Sequence, residues 1–381
     1  MPSLPAHRAR SAVVLFGLAA AACPSEPKLD PAAQAEGLYL AGTAAYLKGD
    51  FAEAHRRFDE VRALAPRDPR LPAATGELFL SEGNLAEALV QFDAAVLLTP
   101  GRATNWSRRG FILLMLGRRA EAATSLERAL ALNPADFNAL EQLGELRAKE
   151  GDVDRAVAAF TAAARAAPQS AKAFLWLRAA GELSRRGRRD EARVLLGGAA
   201  DAGTRTGELI SELADLDVQA GQLAEAADLY REAARSSTDP TLWDLAGEAE
   251  SKLGRTGEAE AAYRESLRVK NRAVVHVALA RLCQARKDAE CLLAELDRAL
   301  ATATGEEVRE SIDLADLLAS VGRKKDALAL LAQVAEEPAE REDVPLQLKV
   351  AALAGKVGDA RRKAEACARA RSADAGVTRC P

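Results

Sequence analysis

The sequence predicts an all-α solenoid of about ten stacked helix hairpins, on three observations. First, a glycine recurs at Gly49, Gly83, Gly117, Gly151, Gly187, Gly221, Gly254, Gly322 and Gly358, with Lys287 in the slot between Gly254 and Gly322. The spacing stays between 33 and 36 residues, the period of a helix–turn–helix repeat unit. Second, five places after most of these glycines stands an alanine, and four further on a large apolar residue. Examples are Ala54 and Phe58, Ala88 and Phe92, Ala122 and Leu126, Ala156 and Phe160, Ala192 and Leu196, Ala226 and Tyr230, Ala259 and Tyr263, Ala327 and Leu331. Third, aromatics make up only 4% and charged residues 28%, and an alanine-rich, aromatic-poor chain reads as closely packed helices. The 381 residues would by length suggest two or three globular domains, but in a repeat array each unit touches only its neighbours.

Residues 1–22 read as a signal peptide. Arg8 and Arg10 make a basic start without acids, and Ser11 to Ala22 is an apolar run ending at Cys23. That run is far short of the ~20 residues a membrane-spanning helix needs. Residues 23–34, with Pro24 and Pro27 and no helical period, read as a tether.

The solenoid is expected over 35–371. An alanine and a bulky residue four apart share one helix face, so the partner helix approaches at the alanine and the bulky side chain fills the space beyond. The first helices carry the complementary half: Trp106…Arg109-Gly110, Leu140…Leu143-Gly144, Trp176…Ala179-Ala180 and Trp243…Ala246-Gly247. Each repeated glycine ends a first helix, where a left-handed backbone costs glycine least. Pro66, Pro100, Pro134 and Pro168 separate units because proline cannot continue a helix. Asp68-Pro69 and Asp239-Pro240 read as a helix cap followed by a first-turn proline. Interior units bury both faces and only the ends stay open, so the polar, basic Asp359–Arg371 reads as a terminal cap. Residues 372–381 read as a flexible tail.

This pattern resembles the tetratricopeptide repeat family, whose signature runs W-x2-L-G-x2-Y…A-x3-F…P. Units beginning near Ala35, Pro69, Ala103 and Phe137 match it closely. Those near Ala173, Gly207 and Pro240 match well, and those near Ala273, Val308 and Val344 are degenerate. The resemblance implies a right-handed superhelix whose first helices line a concave groove that binds extended peptides or partner helices. It places Glu77, Glu145, Asp215, Glu248 and Asp316 on that groove, with Glu141, Glu212, Asp244 and Asp313 one turn earlier. An acidic stripe of this kind favours basic partner segments and speeds their encounter; the alternative is a set of solvated acids. Tyr39, Tyr46 and Phe111 either form an apolar docking patch or contact a neighbouring helix. The Lys and Asn clamp by which chaperone-binding members hold a terminal carboxylate has no counterpart here.

No catalytic constellation stands out, and the expected function is non-catalytic. The three histidines, His7, His55 and His276, have no nucleophile or metal-ligand partner at a useful spacing, and no P-loop, H-E-x-x-H, G-x-S-x-G or C-x-x-C occurs. No cofactor or metal is expected. A net charge of −4 lacks the basic footprint of a nucleic-acid binder. Cys283 and Cys291 flank the turn at Lys287, so they either bridge the hairpin or stay as buried small apolar residues. Cys367 and Cys380 pose the same choice. The sequon Asn105-Trp106-Ser107 lies on an expected helix and reads as chance.

Ala20-Ala21-Ala22-Cys23 resembles a bacterial lipobox, with Ala20 where that motif usually has leucine. The resemblance implies lipidation of Cys23. With no Asp following, it also implies an outer-membrane lipoprotein facing the periplasm and held by its lipid anchor. The expected role is a scaffold that binds partner proteins or peptides of the cell envelope. The alternative is a soluble periplasmic or secreted peptide-binding sensor.

Overall fold

The computed structural model describes residues 30–303, 308–336 and 344–374, with 377 and 380. The signal peptide expected over 1–22 and Cys23 lie outside the described residues. The chain forms two compact units, Met1–Ala122 and Ala123–Pro381.

The first unit holds α1 (Pro31–Leu47), α2 (Phe51–Leu64), α3 (Leu71–Ser81), α4 (Leu85–Leu98), α5 (Ala103–Met115) and the start of α6 (Arg119–Leu132). The second continues α6 into α7 (Phe137–Glu150), α8 (Val153–Ala166), α9 (Gln169–Arg185) and α10 (Arg189–Asp201). Next come α11 (Gly207–Gln219), α12 (Leu223–Arg235), α13 (Thr241–Lys252), α14 (Thr256–Val269), α15 (Ala273–Ala285) and α16 (Ala289–Thr302). It ends with α17 (Val308–Ser320), α18 (Lys324–Glu336), α19 (Val344–Val357) and α20 (Ala360–Ala373). Within the first unit α1 pairs with α2 and α3 with α4, and within the second α7 to α20 pair in succession into seven hairpins, so each unit is built of helix hairpins of the α-solenoid kind; the described residues contain no strand.

Each hairpin turns where the sequence places its punctuation. The nine repeated glycines all have positive φ, from +74° at Gly254 to +84° at Gly358, and Lys287 takes the same left-handed conformation at +60°. The residue after the turn then starts the second helix. Asp50, Asp152, Asp288 and Asp359 accept the backbone N–H three residues on, at 3.0–3.1 Å, an N-cap worth about 1 kcal/mol. One left-handed glycine falls outside the period. Gly203 closes α10 where the earlier units use proline.

The core follows the small-and-large pairing. Ala54, Ala88, Ala156, Ala192, Ala226 and Ala259 are buried, as are Phe58, Phe92, Phe160, Leu196, Tyr230 and Tyr263. The first-helix glycines meet these rings directly. A Cβ on Gly42, Gly76, Gly144 or Gly247 would come within 2.7–2.8 Å of Phe58, Phe92, Phe160 or Tyr263, so these four hairpins pack helix backbone against an aromatic ring.

Several expectations are displaced. α1 starts at Pro31, capped by Asp30, so residues 31–34 belong to the first helix and not to the tether. α3 starts at Leu71, with Pro72 and not Pro69 in its first turn. Asp68 holds the preceding turn by accepting from the Arg70 N–H at 2.9 Å. Pro240 is itself the N-cap of α13, while Asp239 accepts from Thr241 N at 2.9 Å. Asn105 is 3% exposed and donates to Thr99 Oγ1 at 2.8 Å, so its sequon is not presented to solvent. Cys283 and Cys291 are joined, Cα to Cα 5.7 Å, within the span a disulfide bridges. Cys367 and Cys380 are also joined, Cα to Cα 5.9 Å, which ties residue 380 of the tail back to α20.

Candidate functional site

The first helices of the second unit carry two adjoining clefts. One, of about 430 Å³, lies over α11 and α13 and is lined by Glu212, Asp215, Tyr230, Leu245, Glu248 and Lys252. The other, of about 440 Å³, lies over α13 and α15. Asp244, Glu248, Lys252, Tyr263, Arg281 and Asp313 supply its polar wall, and Val274, Val277 and Ala278 its floor. Glu248 and Lys252 line both, so the two form one continuous surface.

The repeat explains why these residues converge. Asp215 and Glu248 follow the small inward residues Ala214 and Gly247. Glu212, Leu245 and Ala278 recur at intervals of 33, each one helical turn away on the same face. The bulky second-helix residues Tyr230 and Tyr263 pass beneath the first helices and reach the clefts from below. Tyr230 donates its hydroxyl to Asp215, and burial, followed by that bond, pushes its own titration well above the usual range. Tyr263 is pushed up to about 12, first by burial and then by Glu248 and Asp244. Both phenols are therefore neutral donors with apolar rings.

Five carboxylates line these clefts, met by Lys252 and Arg281 of the lining and by Arg272 and Lys349 from beyond it, and they are not equivalent. Arg272 pairs with Asp244, yet burial outweighs that pairing and raises the Asp244 carboxyl. Lys252 reaches Glu248 at 2.7 Å. Asp313 takes Arg281 at 3.3 Å and also Lys349. Glu212 makes no ion pair among the described residues. Burial, then the neighbouring Asp215, pushes its carboxyl up. The cleft over α11 and α13 thus holds the least compensated negative charge.

Elsewhere the stripe is largely neutralised by the next first helix. In the second unit, Glu145 meets Arg178 at 3.2 Å and Asp316 meets Lys356 at 3.0 Å. Glu141 makes no ion pair among the described residues, its carboxyl raised by burial and then by Glu145. In the first unit Glu77 pairs with Arg108 at 2.7 Å. A row of uniformly open acids is therefore not what the fold builds, because the position one repeat along often carries arginine or lysine.

The three aromatic candidates of the first unit join neighbouring helices. The Tyr39 ring lies 5.9 Å from Phe58 with Arg70 at 4.3 Å over its face. The Tyr46 hydroxyl meets Ser81 Oγ at 3.0 Å. Phe111 packs against the cluster around Phe92 and Ile112. All three are half-buried, in contact with neighbouring helices as the second of the two sequence readings has it.

Sequence reasoning missed Tyr230, Tyr263 and Lys252 as cleft residues, since the tyrosines read as core; Arg281 follows the small residue Ala280 as the groove pattern expects. It also missed two buried polar pairs. Glu250 is fully buried and accepts from Arg231 at 2.8 Å, with Arg255 at 3.4 Å. His276, on α15, meets Glu295 at 2.7 Å through Nδ1 and Asn271 at 2.8 Å through Nε2. Both partners lie outside the repeat signature, so periodicity could not point to them. No group of three metal-ligating side chains occurs among the described residues, and none of the described helices is long and apolar enough to cross a membrane.

Comparison with known proteins gives the family. Tetratricopeptide repeat models match residues 39–103, 112–171 and 240–272. No curated protein matches the sequence. Among solved structures, a tetratricopeptide repeat protein from Parabacteroides merdae is 21% identical, covering 66% of this chain and 99% of its own at a TM-score of 0.41. MamA is 24% identical, covering 42% and 92% at 0.39. YrrB, described as a tetratricopeptide repeat protein with an unusual peptide-binding site, is 22% identical, covering 44% and 86% at 0.38. With these three stretches matched and the hairpin turns falling on the same period, the chain carries tetratricopeptide repeats.

Proposed function

We propose that the chain is a non-catalytic scaffold of the bacterial cell envelope, anchored through a lipid on Cys23 at the outer membrane, that holds basic extended segments of partner proteins. The observation that carries the binding part is the double cleft. Glu212 and Asp215, with no ion pair among the described residues, leave the cleft over α11 and α13 favourable to a positively charged segment, and Tyr230, Tyr263, Val274 and Val277 offer apolar and aromatic contact between the charges. Lysine and arginine side chains suit such a lining, since their stems pack on apolar surface while the charged ends reach carboxylates. The anchoring part is supported by the sequence alone, through the basic start, the apolar run and Cys23.

Two measurements test it. Palmitate labelling of cells is expected to mark the chain and to be lost in Cys23→Ser; an unlabelled, freely soluble chain supports the periplasmic sensor instead. Photo-crosslinking from Ala278 is expected to capture partner segments rich in lysine or arginine. Charge reversal at Glu212 and Glu248 is expected to weaken that capture more than about tenfold. Capture of acidic segments, or no change on reversal, would overturn the basic-partner reading.

A further inference from the structure

We infer that the Cys283–Cys291 bridge is a thiol-exchange site, reduced in the folded chain by a dithiol that attacks Cys291, and that its reduction loosens the floor of the cleft over α13 and α15. The two sulfurs are not alike. Cys283 is 1% exposed in the last turn of α15, whereas Cys291 is half-buried in the first turn of α16. An incoming thiolate therefore reaches Cys291, and Cys283 is the leaving group.

The surroundings favour that departure. Arg286 holds Nη2 at 3.7 Å from Cys283 Sγ and 3.9 Å from Cys291 Sγ. Its Nη1 donates to Glu260 of α14 at 2.6 Å, which fixes the guanidinium over the bridge. Glu260 also meets Arg264, so one carboxylate stands against two guanidinium groups. A cation beside a sulfur stabilises the thiolate, and so does the N-terminal end of a helix. Two acids of that helix end oppose the effect. Asp288 is engaged by the Cys291 N–H at 3.0 Å, and Glu290 is exposed to solvent.

The exchange balances. One thiolate of the reductant bonds to Cys291 Sγ while the Cys283–Cys291 bond breaks, and Cys283 takes that electron pair and then a proton. The second thiol of the reductant displaces Cys291 from the mixed disulfide and departs as the reductant's own disulfide. Two electrons and two protons pass from the dithiol to the bridge.

The α15–α16 hairpin depends on the bridge because it lacks fastenings used elsewhere in the array. Its turn is Lys287 at φ +60° in place of glycine. Where Ala226 and Ala259 admit a close partner helix, α16 carries Leu292. Cys283 shares α15 with Val274, Val277 and Ala278, the floor of the cleft, so freeing it acts on that floor whatever the cleft holds.

Reduction of the full chain carrying Cys23→Ser by dithiothreitol in native buffer, followed by alkylation and peptide mapping, tests the inference. The 283–291 bridge is expected to open without unfolding, with the α15 amides then exchanging hydrogen faster. Arg286→Gln is expected to slow the reduction more than about threefold, and Arg286→Lys to restore it. A purely structural Arg286 predicts the reverse, since losing the Glu260 pair would open the hairpin and speed the reaction. Circular dichroism of both variants checks that the fold is retained. An unchanged or faster rate in Arg286→Gln, a bridge that yields only on unfolding in urea, α15 exchange indifferent to reduction, or free thiols at both positions from the start would each overturn the inference.

Discussion

Gly144 presents bare helix backbone to the ring of Phe160: a Cβ at Gly144 would lie 2.8 Å from ring carbons Cδ1 and Cε1 and 3.1 Å from Cγ. Phe160 is fully buried, with Arg178 also 4.9 Å from its ring centre, so the ring has little room to give. Gly144→Ala gains about 1 kcal/mol of helix propensity but overpacks the contact at roughly 1–3 kcal/mol. The variant is expected to lose stability. Gly181, one unit on in α9, has nothing within 4 Å of its Cβ position. Gly181→Ala should instead gain about 1 kcal/mol, and urea titration of both variants checks the opposite signs.

Lys287 holds the turn that glycine holds in the other nine hairpins, at φ +60°. A left-handed backbone costs a side-chain-bearing residue about 1–2 kcal/mol. Lys287→Gly is expected to raise the stability of the α15–α16 hairpin by about 1 kcal/mol after the added chain entropy of glycine. Hydrogen exchange of the α15 and α16 amides would show slower opening; unchanged or faster exchange would count against it.

Arg231 is the nearer partner of the fully buried Glu250. Removing one partner of a buried pair leaves an uncompensated charge, at about 3 kcal/mol or more. Arg231→Met should therefore destabilise strongly. Arg231→Met with Glu250→Gln should recover much of the loss, and denaturant midpoints of the two variants decide.

Glu212 has its carboxyl raised above 4.5 by burial and then by Asp215. The folded state therefore holds that proton more tightly than the unfolded chain does. The cost of the ionised group is fully present above the raised value and absent below the ordinary one. Glu212→Gln should stabilise the chain at neutral pH by about 0.5 kcal/mol, part of it relief of a like-charge pair one turn apart. The gain should shrink as pH falls through the window that begins above 4.5 and vanish below it. Thermal melts of parent and variant across that range report the difference.

The bridge between Cys283 and Cys291 closes a short loop around the left-handed Lys287. Its reduction is expected to lower stability by about 2–3 kcal/mol. Peptide mapping without reductant should recover the 283–291 and 367–380 pairs, and free thiols at these positions would refute the pairing.

The sequence alone determined the hairpins and their turns, because both follow from local chemistry. Glycine marks left-handed backbone, aspartate after it caps the next helix, and an alanine four residues from a ring marks close helix approach. None of these needs knowledge of distant residues. It also placed Glu212, Asp215, Asp244 and Glu248 on one face, since a helix fixes the direction of a side chain. Only the tertiary structure decided which of those acids stay charged and open. That depends on whether the facing position of the next helix holds arginine, as Arg178 does for Glu145, or leaves a gap, as beside Glu212. It also decided that Tyr230 and Tyr263 reach the clefts and that Tyr39 and Tyr46 lean on neighbouring helices. Partners across helices are set by packing depth and crossing geometry, which periodicity along the chain does not encode.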